Sequence, residues 1–175
     1  KSKYASQITE EEKNNFKDNL KIIDNQINQI GNLVNEFSDF ARMPKPILRQ
    51  NNIVDIINDN INFLKEIDDS IEINFNCKSE KIYLESDKEQ LNRVFLNLIK
   101  NSIESIIQRA EKTNKFSKKI AIELEESDSH IIILIEDTGV GFENFDKNIK
   151  DILNPYFTTK KNGTGLGLSI VNKII

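Results

Sequence analysis

The sequence predicts an α+β layer fold carrying a helical arm. Three observations point there: a long apolar heptad that stops at Pro44, short alternating apolar runs that read as strands, and a polar turn that joins two of those runs into a hairpin.

The arm comes first. Thr9 followed by Glu12 has capping-box spacing, and Glu10, Glu11 and Glu12 stand where a helix N-terminus favours negative charge. Apolar residues then recur at Phe16, Leu20, Ile23, Ile27, Ile30, Val34, Phe37 and Ala41, alternating steps of four and three, the a/d repeat of a helical seam. Ile22, Leu33 and Phe40 widen the seam, so a helix over 9–43 belongs in a bundle of more than two strands. Pro44 and Pro46 end it, because proline lacks the N–H and pushes the preceding residue out of helix. The expected division is a helical region at 1–43, a linker at 44–48 and a globular domain at 49–175.

Within the globular part, Ile53, Ile56, Ile57, Ile61 and Leu64 form a second amphipathic helix. Ile71, Ile73, Phe75 and Cys77 alternate as a strand in which the single cysteine is a small core residue, and 82–84 adds a short strand. Ser86 or Asp87 caps a helix over 88–110. The runs 120–124 and 131–135 are strands of an antiparallel hairpin with its turn at 125–129.

Composition excludes some functions. The 24 basic and 28 acidic residues leave a net charge of only −4 and form no basic stripe, which argues against a nucleic-acid partner. No apolar run approaches the ~20 residues of a membrane helix and no signal-peptide pattern opens the chain, so this stretch is expected to be soluble.

Three motifs carry possible chemistry. On the helix over 88–110, Leu91, Val94, Phe95, Leu98, Ile99, Ile103 and Ile106 fill one face, and Asn97, Asn101, Glu104 and Gln108 line the other. That column is either a solvated face or, through the carboxamide oxygens of Asn97 and Asn101, a place for a hard cation such as Mg²⁺. Asp137-Thr-Gly-Val-Gly141 follows a strand and is either a surface turn or a sharp bend that presents a carboxylate to an exocyclic amine such as adenine N6. Gly163, Thr164, Gly165, Leu166, Gly167 and Leu168 open a helix, where glycine N–H groups and the helix dipole favour a phosphate. Each motif is weak alone; their order, with a long polar loop before the last, is not.

In that order, Asn97-Leu-Ile-Lys-Asn101, Asp137-Thr-Gly-Val-Gly141, Asn154-Pro-Tyr-Phe-Thr-Thr-Lys160 and Gly163-Thr-Gly-Leu-Gly-Leu168 resemble the N, G1, F and G2 boxes of the histidine kinase ATPase domain. The phrase Val34-Asn-Glu-Phe-Ser-Asp-Phe-Ala-Arg-Met-Pro-Lys-Pro46 resembles the end of the dimerisation helix of NtrY-type nitrogen-regulation sensor kinases. The resemblance implies a Bergerat-type mixed sheet with helices on one face, and ATP with Mg²⁺ as cofactors. It places Mg²⁺ on Asn101, supports the phosphate side with Asn97, and holds adenine N6 with Asp137 in a pocket shaped by Gly139 and Gly141. The phosphates would lie on Gly163, Gly165 and Gly167. An ATP lid would span 142–162, with Phe157 as apolar anchor and Thr158, Thr159 and Lys160 near the phosphates. The implied activity is phosphoryl transfer to a histidine and then to a response regulator receiver domain. The implied assembly is a homodimer through the helical region, in an inner-membrane-anchored parent with this part in the cytoplasm.

Two departures accompany the resemblance. The family's phosphoacceptor histidine lies on a helix that precedes the one at 9–43, whereas the sole histidine here is His130, beside a hairpin strand. The family also adds strands after the helix that begins at Gly167, so the sheet is expected to be truncated at the C-terminus, and this fragment alone is expected not to autophosphorylate. ATP-hydrolysing relatives carry a glutamate base where this chain has Asn97, and a neutral amide cannot take a proton from water. A non-catalytic nucleotide-sensing scaffold is the remaining alternative.

Overall fold

The computed structural model describes residues 9–65, 69–113, 115–141, 149–160 and 163–175, with backbone only at 11, 32, 39 and 149. They fall into two compact units: one holds the residues up to Met43 with Thr159–Thr164, the other Pro44–Thr158 and Gly165–Ile175.

The first unit is built on α1 (Glu10–Ala41), 32 residues long. Its start follows the capping box: Glu12 N donates to Thr9 Oγ1 at 3.2 Å, and Thr9 N donates to the Glu12 carboxylate at 2.8 Å. That bond holds the Glu12 carboxyl below its usual range. The helix stops at Ala41, just ahead of Pro44. Its seam residues Phe16, Leu20, Ile23, Ile27, Ile30, Val34 and Phe37 are all exposed.

The second unit begins with a strand that sequence reasoning does not anticipate, β1 (Arg49–Asn52), leading straight into α2 (Ile53–Lys65). The polar run Arg-Gln-Asn-Asn has no apolar alternation; it is a strand because it pairs antiparallel with β3 (Tyr83–Ser86), Arg49 opposite Ser86 and Asn52 opposite Tyr83. Asn52 Oδ1 accepts from both Val54 N and Ile82 N, tying the start of α2 to the start of β3.

A second sheet has the order β2 (Glu72–Cys77), β4 (Lys119–Glu126), β5 (Ile131–Asp137). β2 and β4 are parallel and β4 and β5 antiparallel, so the sheet is mixed, as the family resemblance implies. The hairpin closes at Ser127 N to His130 O, 2.9 Å, one or two residues later than the apolar run implies, because pairing extends β4 to Glu126.

Alternation decides which face is covered. Ile73, Ile120, Ile122 and Leu124 point to the helices and are buried with Ile56, Ile57 and Ile61 of α2. Phe95, Ile99 and Ile106 join them from α3 (Lys88–Ala110). The opposite face carries Asn74, Glu123, Ile132 and Leu134, of which Ile132 and Leu134 are exposed. β5, read as a continuous apolar run, is therefore only half covered. Asn60, buried on α2, donates to Asn92 Oδ1 on α3 at 2.8 Å and so pins the two helices. Among the described residues no helix is long and apolar enough to cross a membrane.

Candidate functional site

α3 organises the candidate site. Asp87 caps it, accepting from Glu89 N and Gln90 N through Oδ1 and from Ile47 N through Oδ2 at 2.7 Å. Those amides, Ile47 N first, hold the Asp87 carboxyl below the ordinary carboxylate range. With its apolar face fixed in the core, α3 turns Asn97, Asn101 and Glu104 to a half-buried side, while Gln108 is exposed.

Asn97 donates Nδ2 to Arg93 O at 2.8 Å, one turn back, which directs its Oδ1 away from the helix backbone. A Cβ placed on Gly167 would lie 3.0 Å from that Oδ1 and 3.8 Å from Asn101 Nδ2. The paired asparagines thus face the first residue of α4 (Gly167–Ile174), and the chain meets them there with no side chain. Leu166 is buried immediately before it, and Ser169 Oγ donates back to Leu166 O at 2.8 Å. Leu168 is half-buried.

Gly165 has φ +70°, and a Cβ there would fall 2.4 Å from the Tyr156 carbonyl carbon, so only glycine fits. Tyr156 N donates to Gly165 O at 2.9 Å. The segment ahead of it holds a short 3-10 helix, Ile149–Leu153, followed by half-buried Phe157 and exposed Thr158. That turn is regular structure inside the loop read as aperiodic; 142–148, 161 and 162 of the expected lid lie outside the described residues.

The aspartate turn packs at the other end of α3. Val140 N donates to Ser105 Oγ at 3.1 Å. A Cβ on Gly139 would meet Ser105 Oγ at 2.0 Å, so this glycine is required by close approach to the helix. Asp137 is exposed, and its Oδ1 accepts from Gly139 N at 2.8 Å, leaving Oδ2 for another donor. Gly141, φ +63°, ends the turn. Sequence reasoning missed Ser105 and Arg109, whose Nη1 donates to Thr138 O at 2.8 Å; neither stands out in a helix pattern.

Thr159, Lys160, Gly163 and Thr164 belong with α1 in the first unit. There Gly163 N donates to Lys160 O at 3.3 Å, and Thr164 Oγ1 donates to the Glu36 carboxylate.

The residues present fit a magnesium nucleotide. Side-chain amide oxygens are hard donors, and the helix start facing Asn97 Oδ1 and the Asn101 carboxamide is a glycine, which leaves room there that a Cβ would fill.

Known proteins resemble this chain in sequence and in fold. The sequence profile described as "Histidine kinase-, DNA gyrase B-, and HSP90-like ATPase" matches residues 86–175, just over half of the chain. An NtrY-like sensor histidine kinase of Rickettsia felis is 32% identical over 99% of the chain and 27% of its own length. The nitrogen regulation protein NtrY of Azorhizobium caulinodans is 30% identical over 100% of the chain and 22% of its own length. The chain thus spans about a quarter of the length of these curated relatives. Among solved structures, the catalytic domain of histidine kinase ThkA superposes with a TM-score of 0.60 at 29% identity, over 74% of this chain and 80% of that one. ThkA in complex with response regulator protein TrrA gives a TM-score of 0.68 at 25% identity, over 91% and 44%.

Proposed function

Because this chain belongs to the histidine kinase-, DNA gyrase B- and HSP90-like ATPase family, with the ATP-binding domain of a sensor histidine kinase, we propose that it is the catalytic part of a two-component kinase. It moves the γ-phosphoryl group of ATP to a histidine and, in the whole protein, on to an aspartate of a response regulator receiver domain. The observation that carries this reading is the meeting of Asn97 Oδ1 and the Asn101 carboxamide with Gly167 at the start of α4.

Each residue has a role. Asn101 offers its amide oxygen to the metal and Asn97 supports the phosphate side. Backbone N–H groups of Gly163, Gly165 and Gly167, with Thr164, Leu166 and Leu168 between and after them, hold phosphate oxygens. Lys160 adds a positive charge there, with Thr158 and Thr159 as hydroxyl donors and Phe157 as the apolar anchor of the lid. Asp137 accepts from adenine N6 in the bend made by Gly139 and Gly141. A bound Mg²⁺ would supply neutralisation of the phosphate charge at this site. Asn97, at the position where ATP-hydrolysing relatives carry a glutamate, is a neutral amide that cannot deprotonate water, so the site favours transfer over hydrolysis.

Residues 1–43 then form half of a helical hairpin that dimerises the intact kinase, 44–48 link it, and 49–175 hold nucleotide. The parent is anchored in the inner membrane with this part in the cytoplasm. His130 is not the acceptor: it sits beside the hairpin turn, its Nδ1 2.6 Å from Ser129 Oγ.

Titration of ATP with and without Mg²⁺ tests the metal role. Asn101→Ala is expected to weaken the metal complex about tenfold and free ATP little, and equal losses would remove Asn101 from the metal site. Incubating the 175-residue chain with γ-labelled ATP tests the acceptor. No acid-labile phosphoramidate is expected until a second polypeptide supplies a histidine helix; label on this chain that vanishes in His130→Ala would overturn the assignment.

A further inference from the structure

We propose that Arg109 is a positioning residue for nucleotide selection: from the last turn of α3 it holds the peptide that orients Asp137, and so governs how well adenine is told from other purines. The proposal rests on the reading of Asp137 as the adenine acceptor.

A single peptide unit links Arg109 to Asp137. The Thr138–Gly139 peptide offers its carbonyl oxygen to Arg109 Nη1 at 2.8 Å and its N–H to Asp137 Oδ1 at 2.8 Å. A peptide is planar, so the two ends cannot turn independently: any rotation that releases the arginine also moves the donor that orients the carboxylate. A cationic donor on the carbonyl also polarises the amide and strengthens the N–H bond beyond it. With Oδ1 engaged in this way, Oδ2 is the oxygen left to meet an exocyclic amine.

Arg109 is itself held. Its guanidinium carbon lies 4.6 Å from the Phe116 ring centre, and Nη1 is 3.4 Å from Gly139 O as well. The neighbouring Thr138 is fixed by its side chain, which donates to Ser117 O at 2.7 Å and accepts from Lys119 N at 2.9 Å. Thr138 N donates to Lys119 O at 3.1 Å, and Val140 N is held on Ser105. Residues on both sides of the peptide are therefore anchored to the fold by other groups. The peptide's own orientation is what Arg109 adds. Asn101 and Asn97, which meet Gly167 on the expected phosphate side, lie about two and three turns away from Arg109 along α3.

The test compares ATP with purine riboside 5′-triphosphate, which has hydrogen in place of the N6 amine, by titration calorimetry on the 175-residue chain. The wild type should prefer ATP by about tenfold. Arg109→Ala should lose most of that preference, weakening ATP about five- to tenfold and the analogue by less than about twofold. An equal loss for both nucleotides would mean that Arg109 only supports the fold and would overturn the proposal. In an Asp137→Ala background, Arg109→Ala should change ATP affinity by less than about twofold; an undiminished loss there would also overturn it. If Arg109→Ala does not fold, Phe116→Leu removes the ring while keeping the guanidinium, and should weaken ATP alone, about two- to threefold. No selective loss in Phe116→Leu would then overturn the proposal. A wild type that binds the two nucleotides equally would sink the reading of Asp137 itself, and the selective role of Arg109 with it.

Discussion

α1 and α3 are both long helices with regular apolar spacing, yet Phe16 and Ile27 are 64% and 61% exposed in the first while Phe95 and Ile99 are 1% and 0% exposed in the second. The apolar residues of α1 follow a strict alternation of four and three, a seam that Ile22, Leu33 and Phe40 widen and that is shaped for other helices. Those of α3 spread over a broad face, shaped for a sheet and a second helix. Periodicity thus measures how much of a helix calls for a neighbour and how wide that neighbour should be. In α3 the chain itself supplies β4, β5 and α2. For α1 the neighbour we propose is the bundle of an intact dimer. Stability in this chain is accordingly expected to reside around α3.

The largest expected effect tests that contrast directly. Phe95→Ala should cost about 3–5 kcal/mol in urea unfolding, through lost burial and the cavity left behind, whereas Ile27→Ala in dilute solution should stay within about 0.5 kcal/mol. Similar losses at the two positions would end the comparison.

Glycines sharpen it. Gly165→Ala forces a Cβ to 2.4 Å from Tyr156 at a positive φ and should cost about 1–3 kcal/mol with weakened ATP binding. Gly31 lies inside α1 with nothing within 4 Å of its missing Cβ, so Gly31→Ala should stabilise that helix by roughly 0.5–1 kcal/mol. Thermal melts followed by circular dichroism distinguish opposite signs; a loss at Gly31 would show that α1 is covered at that point.

If the seam of α1 serves self-association, a charge in it should matter to assembly and not to nucleotide. Ile27→Asp is expected to raise the dimer dissociation constant about tenfold in sedimentation equilibrium while ATP affinity is unchanged. A coupled loss of ATP binding would mean that the seam supports the site.

A modest effect is expected at the cap of α3. Asp87→Ala should cost about 1 kcal/mol, while Thr9→Ala at the corresponding position of α1 should cost as much or less. The Asp87 carboxyl is depressed in the folded state by Ile47 N, then Gln90 N. Its contribution is therefore fully present above the ordinary carboxylate range and fades as pH falls through the lowered folded value. Urea midpoints between neutral and acid pH should converge for wild type and Asp87→Asn; a gap that widens on acidification would refute the sign.

By itself the sequence determined the elements whose cause is local. The capping box at Thr9, the halt before Pro44, a cap at Ser86 or Asp87, the broad face of α3 and the β4–β5 hairpin all follow from spacing within one segment, and the order of the four motifs is read from the sequence directly. Only the tertiary structure decided what depends on segments far apart in the chain. β1 exists because Arg49–Asn52 finds β3, more than thirty residues on. Ile132 and Leu134 remain exposed because helices cover one face of the sheet, which an unbroken apolar run cannot foretell. Gly139 needs to be glycine because of Ser105, and Arg109, unremarkable on a helix, becomes a partner of the aspartate turn because α3 and β5 end side by side. A close approach of two backbones leaves no periodic trace in either, so residues that position the site are the ones sequence pattern cannot see.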